Sequence, residues 1–182
     1  MDVELDRILA EGYLDGMGEL RVGELRSLRG ECQAVETQLS YLRRLVQGRH
    51  DIVAGELDRR RHGGDPADVH DLVERLPDIL SDRVLAPGPG WLPLDIEPGE
   101  LSGRMVDRLA AITEEVPLET PGSGSMADLA ASEVALGELE HEVSTLRRAM
   151  LDRIDALQAE ITRRYRDGEA RVDDILHPPA DA

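Results

Sequence analysis

Lysine, asparagine and phenylalanine are absent from this chain, which has one tryptophan, one cysteine and three tyrosines. With so few aromatic rings a thick globular core is excluded, because aromatics supply much of the buried area in such cores. No run of about 18 apolar residues occurs and no basic, apolar leader opens the chain, so a soluble, cytoplasmic protein with no membrane partner is expected. The single cysteine, Cys32, cannot close an internal disulfide and falls on an apolar seam, where it serves as a small hydrophobe. The five histidines, at 50, 62, 70, 141 and 177, show no metal-ligand spacing. Gly-rich phosphate loops and nucleophile motifs are missing too, so neither a metal site nor an enzyme is expected. A net charge of −17 argues against direct binding of DNA or RNA and suits a basic protein partner. All 21 cations are arginine, which points to a GC-rich bacterial genome.

What is there is helix-forming. Charged residues make up 32% of the chain, and Leu, Ala, Glu and Arg dominate, a composition suited to long helices with a narrow apolar stripe. Residues 1–22 hold an amphipathic piece, Val3 to Leu9, followed by glycines at 12, 16, 18 and 23, and form a candidate partner-docking segment. From Leu25 the apolar residues fall at 25, 28, 32, 35, 39, 42, 46 and 53, the alternation of a coiled-coil seam interrupted by Arg49. A helix over 23–61 follows, stopped by His62-Gly63-Gly64. In the linker, 62–124, Asp65-Pro66 opens a short helix to Ser81, residues 83–99 form a Pro/Gly loop pinned by Trp91, and Glu100 to Glu114 reads as another short helix. Ser125 and Asp128 make a capping box for a second long helix over 125–169. Its seam runs through Leu129, Leu136, Leu139, Val143, Leu146, Met150, Leu157 and Ile161, broken at Arg153. Residues 170–182 are a tail.

The two long helices share more than a seam. Glu36 to Asp51 reads ETQLSYLRRLVQGRHD, and 104 residues on, Glu140 to Asp155 reads EHEVSTLRRAMLDRID. Seven of sixteen positions are identical: Glu36/Glu140, Ser40/Ser144, Leu42/Leu146, Arg43/Arg147, Arg44/Arg148, Arg49/Arg153 and Asp51/Asp155. Coiled-coil packing repeats apolar positions, but it does not require the same Ser, Arg and Asp at the same offsets. With Leu25 and Leu136 as position a, both glutamates and both Arg43 and Arg147 take position e, both serines b and both aspartates f. Antiparallel pairing that places Val35 by Leu157, Leu39 by Arg153, Leu42 by Met150, Val46 by Leu146 and Arg49 by Val143 makes every pair an a/d pair. It also sets Arg43 beside Arg147. The expected fold is all-α: a long antiparallel coiled-coil hairpin with short accessory helices in the linker and at the N-terminus.

Arginine, carboxylate and hydroxyl offered twice suit a twofold anionic ligand with hydrogen-bonding edges. Arg binds phosphate or the O6/N7 edge of guanine, and Glu and Asp accept from guanine N1–H and N2–H. Six arginines, at 43, 44, 49, 147, 148 and 153, reverse the charge locally. Gly48, costly in mid-helix by roughly 1 kcal/mol, suggests a close approach by the ligand. The competing reading is a ligand-free structural or RNA-polymerase-binding acidic hairpin, whose flank charges form only surface ion pairs.

The spacing of Glu36, Ser40, Arg43, Gln47 and Asp51 resembles the signature of the RsiG family of actinobacterial anti-sigma factors. Glu140, Ser144, Arg147 and Asp155 resemble it again, with Leu151 in place of the motif's Gln. The resemblance implies an antiparallel hairpin that binds cyclic di-GMP, as a dimer, on these nine residues. So loaded, it would hold a sporulation sigma factor of the WhiG type away from core RNA polymerase.

Overall fold

The computed structural model describes residues 2–64, 103–115 and 124–169. The expected helix from Asp65 to Ser81, the loop carrying Trp91 and the tail lie outside them. The elements are α1 (Asp2–Leu9), a 3-10 turn (Met17–Glu19), α2 (Val22–Arg61), α3 (Arg104–Glu115) and α4 (Met126–Arg166). The chain is all-α, an antiparallel hairpin of α2 and α4 with short accessory helices.

Both long helices begin and end on local chemistry. At the start of α2 the Arg21 amide donates to Glu24 Oε2 at 2.6 Å. At the start of α4 the Asp128 amide donates to Ser125 Oγ at 3.1 Å while the Ser125 amide donates to Asp128 Oδ2 at 2.9 Å, the reciprocal capping box. Gly63 and Gly168, at φ of 87° and 74°, supply the left-handed residue that closes each helix. Gly64 N then reaches back to the Arg59 carbonyl, and Glu169 N to that of Arg164. Arginines fill both last turns, where the helix dipole favours cations.

By internal contacts the chain forms two compact units, one of Val3–Thr37 with Leu146–Ala182, the other of Gln38–Thr145 with Asp2. In the first, the seam buries Leu25, Cys32, Val35, Met150 and Leu157, each fully. Leu5 and Ile8 of α1 are also fully buried. Of the apolar residues of the expected docking segment, Leu5 and Ile8 are therefore already covered by the chain itself, while Val3 is 86% exposed. Arg153 grips the end of α1, its Nε donating to the Ile8 carbonyl at 2.7 Å and its Nη2 to that of Leu9 at 3.3 Å. Arg164 does the same for the next loop, donating to the carbonyls of Leu20, Met17 and Gly18.

In the second unit the seam runs through Leu39, Leu42, Val46, Val53, Leu129, Leu136, Leu139 and Val143, all at most 3% exposed. Each such side chain is worth roughly 1.5–3 kcal/mol of burial. Met105, Leu109 and Ile112 of α3 are buried, as their spacing predicts, and Arg108 bonds Glu142 and Glu138 of α4. Asp2 caps α3, accepting from the Arg104 amide at 2.8 Å. Near the end of α2, buried Glu56 takes a seam position and is held by Arg59 and Arg60.

The register differs from the expected one by a heptad, roughly 10 Å along the axis. In the second unit Arg43 stands across from Glu140 and Ser144. In the first, Arg147 stands across from Glu36, and Arg29 bonds Gln158. Leu42 is thereby level with Val143, and Val46 with Leu139. Apolar periodicity cannot distinguish registers one heptad apart, since both give a/d pairs. Charge does: the expected register opposes two arginines, whereas this one opposes each arginine with a glutamate.

Candidate ligand-binding site

The first motif copy meets the second helix in a cluster of four. Arg43 Nε donates to Glu140 Oε1 and to Ser144 Oγ, both at 2.8 Å. Ser144 Oγ donates to Glu140 Oε1 at 3.0 Å, and Gln47 Nε2 donates to the same oxygen at 3.2 Å. Burial pushes the Glu140 carboxyl upward, but the Ser144 hydroxyl and the Arg43 guanidinium outweigh it and hold the group below its ordinary value. Glu140 is thus an anion that accepts from three donors while its side chain remains 27% exposed.

In the other unit Arg147 Nε donates to Glu36 Oε1 at 2.8 Å. The two ion pairs match in atoms and in distance, as the repeat requires. They differ at the residue four beyond each arginine. Gln47 adds a donor to Glu140, whereas half-buried Leu151 has none to give. Ser40 is half-buried, Asp51 lies 3.7 Å from His50 Nδ1, and Asp155 is exposed. Arg44 and Arg148 are exposed as well. So Glu140, Ser144, Arg43 and Gln47 come together in one unit and Glu36 with Arg147 in the other, while Asp155 is in neither cluster.

The accessory helices leave this edge of the seam alone. In heptad letters the motif pairs occupy position e of both long helices. Arg7 of α1 bonds Glu31, and Arg108 of α3 bonds Glu142, and both of those acceptors are at position g. Gly48 falls at c, on the side of g, and a Cβ there would meet nothing within 4 Å. It does not belong to the ligand stripe to which its helix cost had assigned it.

Sequence reasoning missed the carbonyl grips of Arg153 and Arg164. Arg153 was visible as a break in the seam, but its partners are backbone atoms of α1, which no side-chain pattern encodes. Among the described residues no group of three or more His, Cys, Asp or Glu is placed to hold a metal ion, and no helix is long and apolar enough to cross a membrane.

A family model described as RsiG-like matches residues 11–80 and 115–178. The chain belongs to the RsiG-like family. That family consists of anti-sigma factors, regulatory proteins whose partner is a sigma factor. The matched segments contain both copies of the motif, Glu36 to Asp51 and Glu140 to Asp155, and leave out α1 and all of α3 but Glu115. A search of curated proteins finds no match to the chain. The family model thus covers both long helices, while α1 and nearly all of α3 lie outside it.

Proposed function

We propose that this anti-sigma factor binds cyclic di-GMP through both copies of the motif and, so loaded, sequesters a sporulation sigma factor of the WhiG type from core RNA polymerase. What carries the reading is that in each copy an arginine of one long helix meets a glutamate of the other at 2.8 Å. Guanine presents two acceptors, O6 and N7, on one edge and two donors, N1–H and N2–H, beside them. A paired guanidinium and carboxylate offers the complementary donors and acceptors side by side. Bare phosphate would use the arginine only, and the carboxylate would repel it. Ser144 and Gln47 add neutral groups that donate or accept as the ligand requires.

Isothermal titration with cyclic di-GMP tests the reading, with and without the sigma factor. Binding by the wild type, and none by the Arg43→Ala, Arg147→Ala double variant with unchanged helicity, is the expected result. Absence of heat in both conditions favours the ligand-free hairpin. Loss of helicity in the double variant means the arginines are structural.

A further inference from the structure

A second likeness, at a shift of 101 residues instead of 104, joins the two accessory helices. Asp6-Arg7-Ile8 in α1 corresponds to Asp107-Arg108-Leu109 in α3: in each, the arginine bonds a g-position glutamate of the next long helix and the following apolar residue is buried. In the first unit Arg153 completes this arrangement by holding the C-terminal carbonyls of α1. Arg49, its counterpart, has no such load. Helix α3 continues to Glu115, so its Leu109 carbonyl lies inside the helix, where Thr113 Oγ1 also donates to it. Among the described residues Arg49 makes no hydrogen bond or ion pair.

Arg49 instead lines a groove of about 190 Å³ with Tyr41, Leu45, Val106, Leu109 and Ala110. Leu45 is 37% exposed there. Next to Arg49, Gly48 has open space where a side chain would stand, which permits close approach of another backbone. A lone cation on an apolar floor selects an apolar segment that brings its own oxygens. In the first unit its counterpart Arg153 takes such oxygens from the end of an amphipathic helix.

We infer that this groove is where an amphipathic helix of the sigma factor docks, its apolar face on Leu45, Val106 and Ala110 and its C-terminal carbonyls on Arg49. The inference rests on the proposed function, in which the chain loaded with cyclic di-GMP holds a sigma factor.

The test measures binding of a full-length WhiG-type sigma factor, in the presence of saturating cyclic di-GMP, to the wild-type chain and to Leu45→Glu, Ala110→Glu and Arg49→Gln, with exposed Val134→Glu as control. The first two variants are expected to weaken binding about tenfold or more and Arg49→Gln by about fivefold, as for central interface positions. Val134→Glu and cyclic di-GMP titration should not change. Circular dichroism checks that each variant keeps its helicity, and Arg49→Lys, which retains the charge, should recover part of the loss. Equal sigma-factor affinity across all chains overturns the groove alone. Failure of the wild type to bind overturns the WhiG-type partner, and a Leu45→Glu effect seen only in self-association assigns the groove to a second copy.

Discussion

Arg43 and Glu140 meet at 2.8 Å across the seam with side chains 37% and 27% exposed. At that exposure water screens the pair, and such pairs contribute about 0.2–1 kcal/mol. A double-mutant cycle of Arg43→Ala and Glu140→Ala, read by urea unfolding, is therefore expected to give a coupling under about 1 kcal/mol. Either single change should nonetheless abolish cyclic di-GMP binding. The charge-swapped chain, Arg43→Glu with Glu140→Arg, should regain stability; ligand affinity stays low because the donor and the acceptor offered to guanine have exchanged helices. A coupling of several kcal/mol would make the pair a structural clasp instead.

Acid should weaken the fold through its paired carboxylates. Glu160 accepts first from Arg163 and then from Arg164, which hold it down to about 2 against an ordinary 4.5. Glu140 is also held below its ordinary value. For a depressed carboxyl, the stabilisation is fully present above the unfolded value and disappears as pH falls through the folded one. The melting temperature is thus expected to be flat from neutral pH to about 5 and to fall between about 4.5 and 2. Glu160→Gln should remove part of that fall. A melting temperature that rises on acidification in this window contradicts the assignment.

The seam, both helix ends and the capping box at Ser125 were legible because each depends on residues within one or two turns of each other. The doubled motif was legible for the same reason. The register was not, since a heptad pattern is invariant to a shift of seven and only the opposition of Arg43 to Glu140 decides it. The position of α1 escaped because Arg153 recognises carbonyls, which every residue has. Gly48 misled: its helix cost is real, but position c lies on the g side of the helix, away from the motif at e.

That cost gives a clean measurement. A Cβ at Gly48 would meet no atom within 4 Å, so Gly48→Ala should stabilise the free chain by about 1 kcal/mol through helix propensity alone. Thermal or urea unfolding reads this directly. No gain, or a loss, would mean that the helix is strained there.

Ser132 is 2% exposed at a seam position, and among the described residues its hydroxyl has no hydrogen-bond partner. An orphaned buried hydroxyl costs about 1–3 kcal/mol, and alanine removes it for the loss of one small atom. Ser132→Ala is expected to be neutral or stabilising by about 1 kcal/mol. Destabilisation beyond about 1 kcal/mol in urea unfolding would reveal a bond to the hydroxyl in solution.

Arg153 sets two demands against each other. As a seam residue it displaces an apolar side chain, and as a grip it donates to the carbonyls of Ile8, Leu9 and Ala149. Arg153→Leu should improve the contact between the long helices while releasing α1, whose own eight residues are too few to hold a helix in water. Bonds from a charged donor are worth about 1.5–3 kcal/mol, so the net change in global stability is expected to be small or negative. Hydrogen exchange separates the two: amides of residues 3–9 should exchange much faster in the variant, while those of α2 near Val35 and of α4 near Leu157 keep their protection. Unchanged exchange in α1 would show that Leu5 and Ile8 hold it without the arginine.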